Sequence, residues 1–273
     1  MEPIASCSSI QLVIFDLAGT TVDYGCLAPV AAFVEGFKEF GITISFNQAR
    51  EPMGMEKRVH IRKIGQMSEV VRQWQNVHGR SINEDDIDAM YHAFVPLLLK
   101  ALPDYTELIP GVSNCIDFLK AKDIKFAATT GYFREAANIV LNYAAEAGFS
   151  PQVSCCATEV PLGRPAPWMI FNCMQSLDVY PPLSVVNVGD TRVDVESGLN
   201  AGVWSIGVAA TGNEMGLSLA ETRKLEAAEY EALIGKARKS LMSAGAHYII
   251  DSVSELPEII WKIEQRLAEG EKP

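Results

Sequence analysis

Six short apolar runs recur along this chain, and none of them alternates polar with apolar residues. Gln11–Phe15, Lys125–Thr129, Ser154–Ala157, Ser184–Val188, Val203–Val208 and His247–Ile250 read as strands. A strand without alternation needs cover on both faces, as in a parallel sheet. Amphipathic stretches such as Val112–Ala121, Arg134–Ala147 and Val193–Ala201 lie between the runs. Strands alternating with helices predict an α/β fold with a doubly wound, Rossmann-like parallel sheet. One interval breaks the pattern. From about Cys26 to Leu108 the periodicity is helical throughout, in Pro29–Phe40, around Val70–Val77 and in Ile87–Leu102. That is far more chain than a crossover helix needs. It predicts a helical domain over 26–108 inserted into a core of 1–25 and 109–273, with hinges near Asp23–Leu27 and Asp104–Gly111. The charged, alanine-rich Glu221–Lys239 reads as a solvated surface helix.

Composition narrows the partners. The chain has 273 residues, with 23 Lys and Arg against 34 Asp and Glu, a net charge of −11. Such acidity argues against general nucleic-acid binding and means that an anionic substrate must be held by a local positive cluster or a metal ion. No apolar run reaches the roughly 18–20 residues of a membrane span. Met1–Ile10 has neither the basic nor the apolar segment of a signal peptide. The six cysteines (Cys7, Cys26, Cys115, Cys155, Cys156 and Cys173) form no C-x-x-C pair. Together these predict a reduced, cytoplasmic protein.

Ligands of an open α/β sheet bind beyond the carboxyl ends of its strands. Asp16, Thr130 and Asp190 stand at such ends, with Asp194 four residues beyond Asp190. Each aspartate alone is as well explained as a helix N-cap. Two or three carboxylates meeting at one edge repel one another unless a hard cation lies between them, and Mg²⁺, with its preference for oxygen, suits such a site. The run from Asp16 to Asp23, Asp-Leu-Ala-Gly-Thr-Thr-Val-Asp, turns at Gly19, where backbone N–H groups can cradle a phosphoryl oxygen. Thr130 adds a hydroxyl, and Arg164 in Gly163-Arg164-Pro165 adds a cation. No P-loop, G-x-G-x-x-G, H-E-x-x-H or G-x-S-x-G occurs, so the corresponding nucleotide, zinc and serine-hydrolase chemistries lose support.

These motifs, in this order and spacing, resemble the haloacid dehalogenase superfamily over nearly the whole chain, and the helical insert resembles its type-1 cap. The resemblance implies that Asp16 is the nucleophile and that Thr130 binds the phosphoryl group. It implies further that Asp16, Asp190 and the backbone carbonyl of Ala18 hold Mg²⁺, with Asp194 supporting the site. One departure is chemical. Superfamily phosphatases carry an acidic residue two places after the nucleophile, which protonates the leaving group. Here that place is Ala18.

The insert supplies an alternative. Pro52–His60 reads as a helix start, with Lys57 and His60 three residues apart on one face. A surface charge and a packed histidine are the plain explanations. A lysine of lowered pKa can instead form an imine with a carbonyl substrate. If that carbonyl is β to phosphorus, C–P cleavage expels an enamine and needs no acid at position 18. Ala18, the run to Tyr24-Gly25, Pro52-Met53-Gly54-x-x-Lys57-x-x-His60, Thr130-Gly131-Tyr132 and Gly163-Arg164-Pro165-x-Pro167-Trp168 are similar to the phosphonoacetaldehyde hydrolase family. That likeness implies C–P hydrolysis in 2-aminoethylphosphonate breakdown and a homodimer formed through the cap. It implies imine formation by Lys57, proton transfer by His60 and Tyr132, charge stabilisation by Arg164, and a pocket lined by Cys26, Met53 and Gly131. Leu17 and Arg58-Val59 depart from the family's commoner residues without removing a group the chemistry needs. The competing readings are a phosphatase for a small phosphomonoester, which Ala18 opposes, and a silent binding protein, which the retention of Asp16, Lys57, Thr130, Asp190 and Asp194 opposes.

Overall fold

A computed structural model describes residues 9–273. Cys7 and most of Met1–Ile10 lie outside the described residues. All six expected strands form: β1 (Leu12–Phe15), β2 (Lys125–Thr130), β3 (Val153–Cys156), β4 (Val185–Gly189), β5 (Trp204–Val208) and β6 (Tyr248–Ile250). They make one parallel sheet in the order β3-β2-β1-β4-β5-β6. All of β1, β4 and β5 is buried, because their side chains alternate between two covered faces. Leu12 and Ile14 of β1 join a core with Met169, Ile170 and Cys173. Val13 and Phe15 join a larger one with Ile116, Val140 and Ile260.

Five α-helices occupy residues 26–108: α1 (Ala28–Glu39), α2 (Phe46–Arg50), α3 (Lys57–Gly65), α4 (Ser68–His78) and α5 (Glu84–Ala101). Helices α1 and α5 pack through stacked Phe33 and Phe94, with ring centroids 4.4 Å apart. Helix α5 starts three residues before its apolar pattern, because Asn83 and Asp86 form a reciprocal capping box. Helix α3 starts later than the sequence suggests. Residues 52–55 form a turn with Gly54 at φ +85°, and the Glu56 carboxylate then caps the helix by accepting from the N–H groups of Arg58 and Val59. The two linkers meet beside the sheet, where Val22 bridges Leu108 and the Ile109 N–H donates to the Thr21 carbonyl at 2.9 Å.

The remaining helices are α6 (Val112–Ala121), α7 (Arg134–Glu146), α8 (Trp168–Ser176), α9 (Arg192–Ala201), α10 (Leu219–Thr222), α11 (Ala227–Ser243) and α12 (Leu256–Ala268). The expected surface helix over Glu221–Lys239 is in fact two. A Ser218–Glu221 capping box starts the short α10, and α11 buries Ile234, Ala237 and Leu241. Among the described residues no helix is long and apolar enough to cross a membrane, and the five described cysteines are free.

Candidate active site

With this strand order the winding of the chain switches sides between the parallel neighbours β1 and β4, and the crevice beyond their carboxyl ends is the expected ligand site. Asp16 leaves β1 there, its N–H still bonded to the Val188 carbonyl of β4 at 2.9 Å. Asp190 leaves β4, and Asp194 lies on the first turn of α9. All three carboxylates are buried, and one oxygen from each falls within 4.8 Å of the others. Glycine is required around them. A Cβ on Gly19, at φ +90°, would stand 2.3 Å from the Asp190 Oδ2 atom.

Arg164 answers part of this charge. Its Nη1 lies 2.7 Å from the Asp16 Oδ1 atom and its Nε 2.8 Å from the Asp194 Oδ1 atom. Its Nη2 donates to the hydroxyl and the carbonyl of Thr129, at 2.8 and 3.0 Å. The other oxygen of Asp194 accepts from the N–H and hydroxyl of Thr191, so Asp194 is also the capping partner of α9. Asp190 Oδ2 accepts from the Asn213 N–H at 2.7 Å, and its Oδ1 accepts from the Thr20 hydroxyl at 3.4 Å. Burial first, then the charges of Asp16 and Asp194, push the Asp190 carboxyl well above the usual range. One guanidinium cannot balance three carboxylates. This all-oxygen donor set, with its surplus negative charge, fits a hard divalent cation.

The insert closes the site from the other side. Asp16, Ala18, Thr130, Gly131, Arg164, Asp190 and Thr191 of the core face Cys26, Pro29, Met53, Gly54 and Lys57 across one small cavity, together with Tyr132. The contact is close: a Cβ on Gly131 would stand 2.4 Å from the Met55 carbonyl oxygen, and one on Gly54 would stand 2.4 Å from the Thr191 hydroxyl. Lys57, first residue of α3, is buried with its Nζ 4.9 Å from the Tyr132 ring centroid and 5.7 Å from that of Phe33. Burial lowers its pKa from 10.5, against an opposing pull from Cys26, Asp16 and Glu56. Burial likewise holds the thiol of Cys26 and the phenol of Tyr132 well above their ordinary values.

Of the residues expected at the site, all but His60 stand at the cavity wall or among the clustered carboxylates. His60 is wholly buried behind Lys57, its ring 3.9 Å from that of Phe33 and its Nε2 2.8 Å from the Ala49 carbonyl oxygen. Burial and the neighbouring Lys57 charge depress its pKa well below 6.5, which keeps the ring neutral. The His60 Nδ1 atom and the Tyr132 hydroxyl are buried with no hydrogen-bond partner among the described residues. Thr130 accepts from the Tyr132 N–H at 3.1 Å, which fixes the turn after β2. Sequence reasoning missed Thr129, Thr191, Gly54 and Pro29. Thr191 stands in the Gly189-Asp190-Thr191 run and was within reach of it. Thr129 reads as one more buried strand residue, and nothing in its surroundings along the chain marks it as the seat of Arg164.

Comparison with known proteins assigns this arrangement to a class. Residues 10–202 match the profile of the haloacid dehalogenase-like hydrolases. The phosphonoacetaldehyde hydrolase of Paraburkholderia phytofirmans is 42% identical over 264 residues, covering 97% of this chain and 99% of that one. The enzyme of the same name from Bacteroides fragilis is 44% identical, covering 94% and 98%. The crystal structure of a phosphonoacetaldehyde hydrolase-like protein from Oleispira antarctica superposes with a TM-score of 0.97 at 39% identity, covering 100% and 99%. The chain is thus a haloacid dehalogenase-like hydrolase and belongs to the phosphonoacetaldehyde hydrolase family.

Proposed function

We propose that this chain hydrolyses the C–P bond of phosphonoacetaldehyde to acetaldehyde and phosphate, with Lys57 as the imine-forming amine and Asp16 as the nucleophile. One observation carries the reading. A buried amine of lowered pKa and a strand-end carboxylate line the same cavity, while the methyl group of Ala18 stands where an acid would be needed to expel an alkoxide.

Lys57 condenses with the aldehyde and releases water. His60, held neutral behind the amine, and Tyr132 move the protons of that exchange. The Asp16 carboxylate then attacks phosphorus. Its O–P bond forms as the C–P bond breaks, and the electron pair of that bond passes into the protonated imine to give an enamine. Protonation at carbon and hydrolysis release acetaldehyde and restore Lys57, and water cleaves the aspartyl phosphate. Arg164, already bonded to Asp16, offsets charge that gathers on the phosphoryl oxygens, with the Thr130 hydroxyl and the backbone after Gly19 as further donors. Asp16, Asp190 and the Ala18 carbonyl would hold Mg²⁺, with Asp194 steadying Arg164 beside it. Such an ion supplies Lewis-acid stabilisation of the phosphoryl group when bound.

On this reading residues 26–108 act as a cap over a core of 1–25 and 109–273, the protein works in the cytoplasm as a homodimer paired through its caps, and the reaction belongs to 2-aminoethylphosphonate degradation. Acetaldehyde formation from phosphonoacetaldehyde, followed with a nicotinamide-dependent alcohol dehydrogenase with and without Mg²⁺, tests the activity. Rapid Mg²⁺-dependent product supports it. Phosphate release from ordinary monoesters without acetaldehyde formation would replace it with the phosphatase reading.

A further inference from the structure

Arg50, the last residue of α2, touches three parts of the molecule at once. Its Nη1 donates to the Gly25 carbonyl of the first linker at 2.8 Å and to the Asn213 side-chain oxygen at 3.1 Å. Its Nη2 donates to the Gly216 carbonyl at 3.0 Å. Asn213 donates in return, from Nδ2 to the Arg50 carbonyl at 3.2 Å. That same carbonyl accepts from the Met53 N–H at 3.0 Å, the bond that opens the turn carrying Met53 and Gly54 over the cavity. On its core side Asn213 gives its backbone N–H to the Asp190 Oδ2 atom at 2.7 Å. An unbroken set of direct contacts therefore runs from the cavity turn of the insert, through Arg50 and Asn213, to a carboxylate of the core.

The loop after β5 is shaped for this. Gly216 adopts φ +67°, and a Cβ there would stand 2.9 Å from the Arg50 Nε atom. A Cβ on Gly212 would stand 2.3 Å from that of Asp190. The Arg50 acceptors are the carbonyls of Gly25, Cys26 and Gly216 and the Asn213 amide oxygen, each fixed in direction. A planar guanidinium satisfies all four only when insert, linker and loop are in register, which a lysine ammonium on its flexible stem does not demand.

We propose that Arg50 and Asn213 form a latch that couples docking of the insert to the placement of Asp190. Both are positioning residues. The inference rests on the reading that the cavity between insert and core is the reaction site, but part of its test needs no substrate. Arg50→Ala, Asn213→Ala and the double variant are each titrated with Mg²⁺ alone by calorimetry and assayed for kcat/KM. The expected result is a loss of about tenfold in Mg²⁺ affinity for each single variant, in the range seen when a carboxylate loses its outer support. A loss of about tenfold or more in kcat/KM accompanies it, and the double variant is no worse than the poorer single, because the two residues act as one unit. Arg50→Lys falls between wild type and Arg50→Ala and covers the case in which the alanine variant does not fold. Wild-type Mg²⁺ affinity in both folded single variants, or losses that multiply in the double variant, would overturn the latch. A wild-type protein that binds Mg²⁺, shows the calorimetric coupling and makes no acetaldehyde would overturn the substrate and leave the latch standing.

Discussion

The two halves of the site obtain their chemistry by opposite means. On the core side, Asp16, Thr130 and Asp190 sit at the ends of strands whose backbones are locked in a parallel ladder. The carboxylates of Asp16, Asp190 and Asp194 are crowded, and the crowding is offset by Arg164 and by hydrogen bonds from Thr20 and Asn213. On the insert side, Lys57 has no carboxylate bonded to it among the described residues and lies between aromatic faces. The core gathers carboxylates into a cluster that could hold a cation, whereas the insert strips an amine of water until it gives up its proton more readily. One chain thus sets a buried carboxylate and a lysine amine of lowered pKa across a single cavity.

The sharpest way to separate the halves is to disable one at a time. Asp16→Ala and Lys57→Arg are each expected to lower turnover by about 10⁴-fold or more, as when a covalent participant is removed. The two losses differ in kind. Borohydride should still trap substrate on Lys57 in Asp16→Ala, read by mass spectrometry, and should trap nothing in Lys57→Arg, whose guanidinium forms no imine. Near-normal turnover of Lys57→Arg would sink the imine. Stripping the protein of divalent cations should act on the core half alone. Acetaldehyde production should fall by about a hundredfold or more and return with Mg²⁺, because charge stabilisation at phosphorus is lost, while borohydride trapping at Lys57 persists.

Thr129→Val tests whether the core half depends on the seat of its arginine. It removes the hydroxyl that accepts from the Arg164 Nη2 atom and keeps the carbonyl. A loss of about three- to tenfold in kcat/KM, with imine trapping unchanged, is expected. The smallest effect lies at the hinge. Asp23 is buried and accepts from the N–H groups of Leu27 and Ala28 at the start of α1. Burial pushes its carboxyl from 3.8 up to about 7. Between those values the folded protein keeps a proton that the unfolded chain has released, so this group's contribution to stability is lost as pH rises through the window. In Asp23→Asn, thermal melts across the same window should show a shallower decline than wild type. An unchanged slope would mean that Asp23 stays ionised throughout.

All six strands, the run of helices between Cys26 and Leu108 and the clustered aspartates were legible in the residues, because apolar runs and strand-end polar residues are local signals. The start of α3 was not. Pro52 and Gly54 looked like a helix beginning and instead shape a turn, and the helix waits for the Glu56 cap. The split of Glu221–Lys239 into α10 and α11 was missed because composition alone does not reveal where one side of a charged helix meets a core.

By itself, the sequence determined which groups are available: Asp16 at the end of the first strand, Lys57, Arg164 and an alanine at position 18. Tertiary structure alone decided what those groups are worth. Lys57 is an ordinary lysine until Phe33 and Tyr132 close around it, and His60 is an ordinary histidine until it is sealed behind that lysine. Arg50 and Asn213 stand 163 residues apart, and nothing local to either announces the other. Desolvation and long-range hydrogen bonding depend on neighbours that only the folded chain assembles.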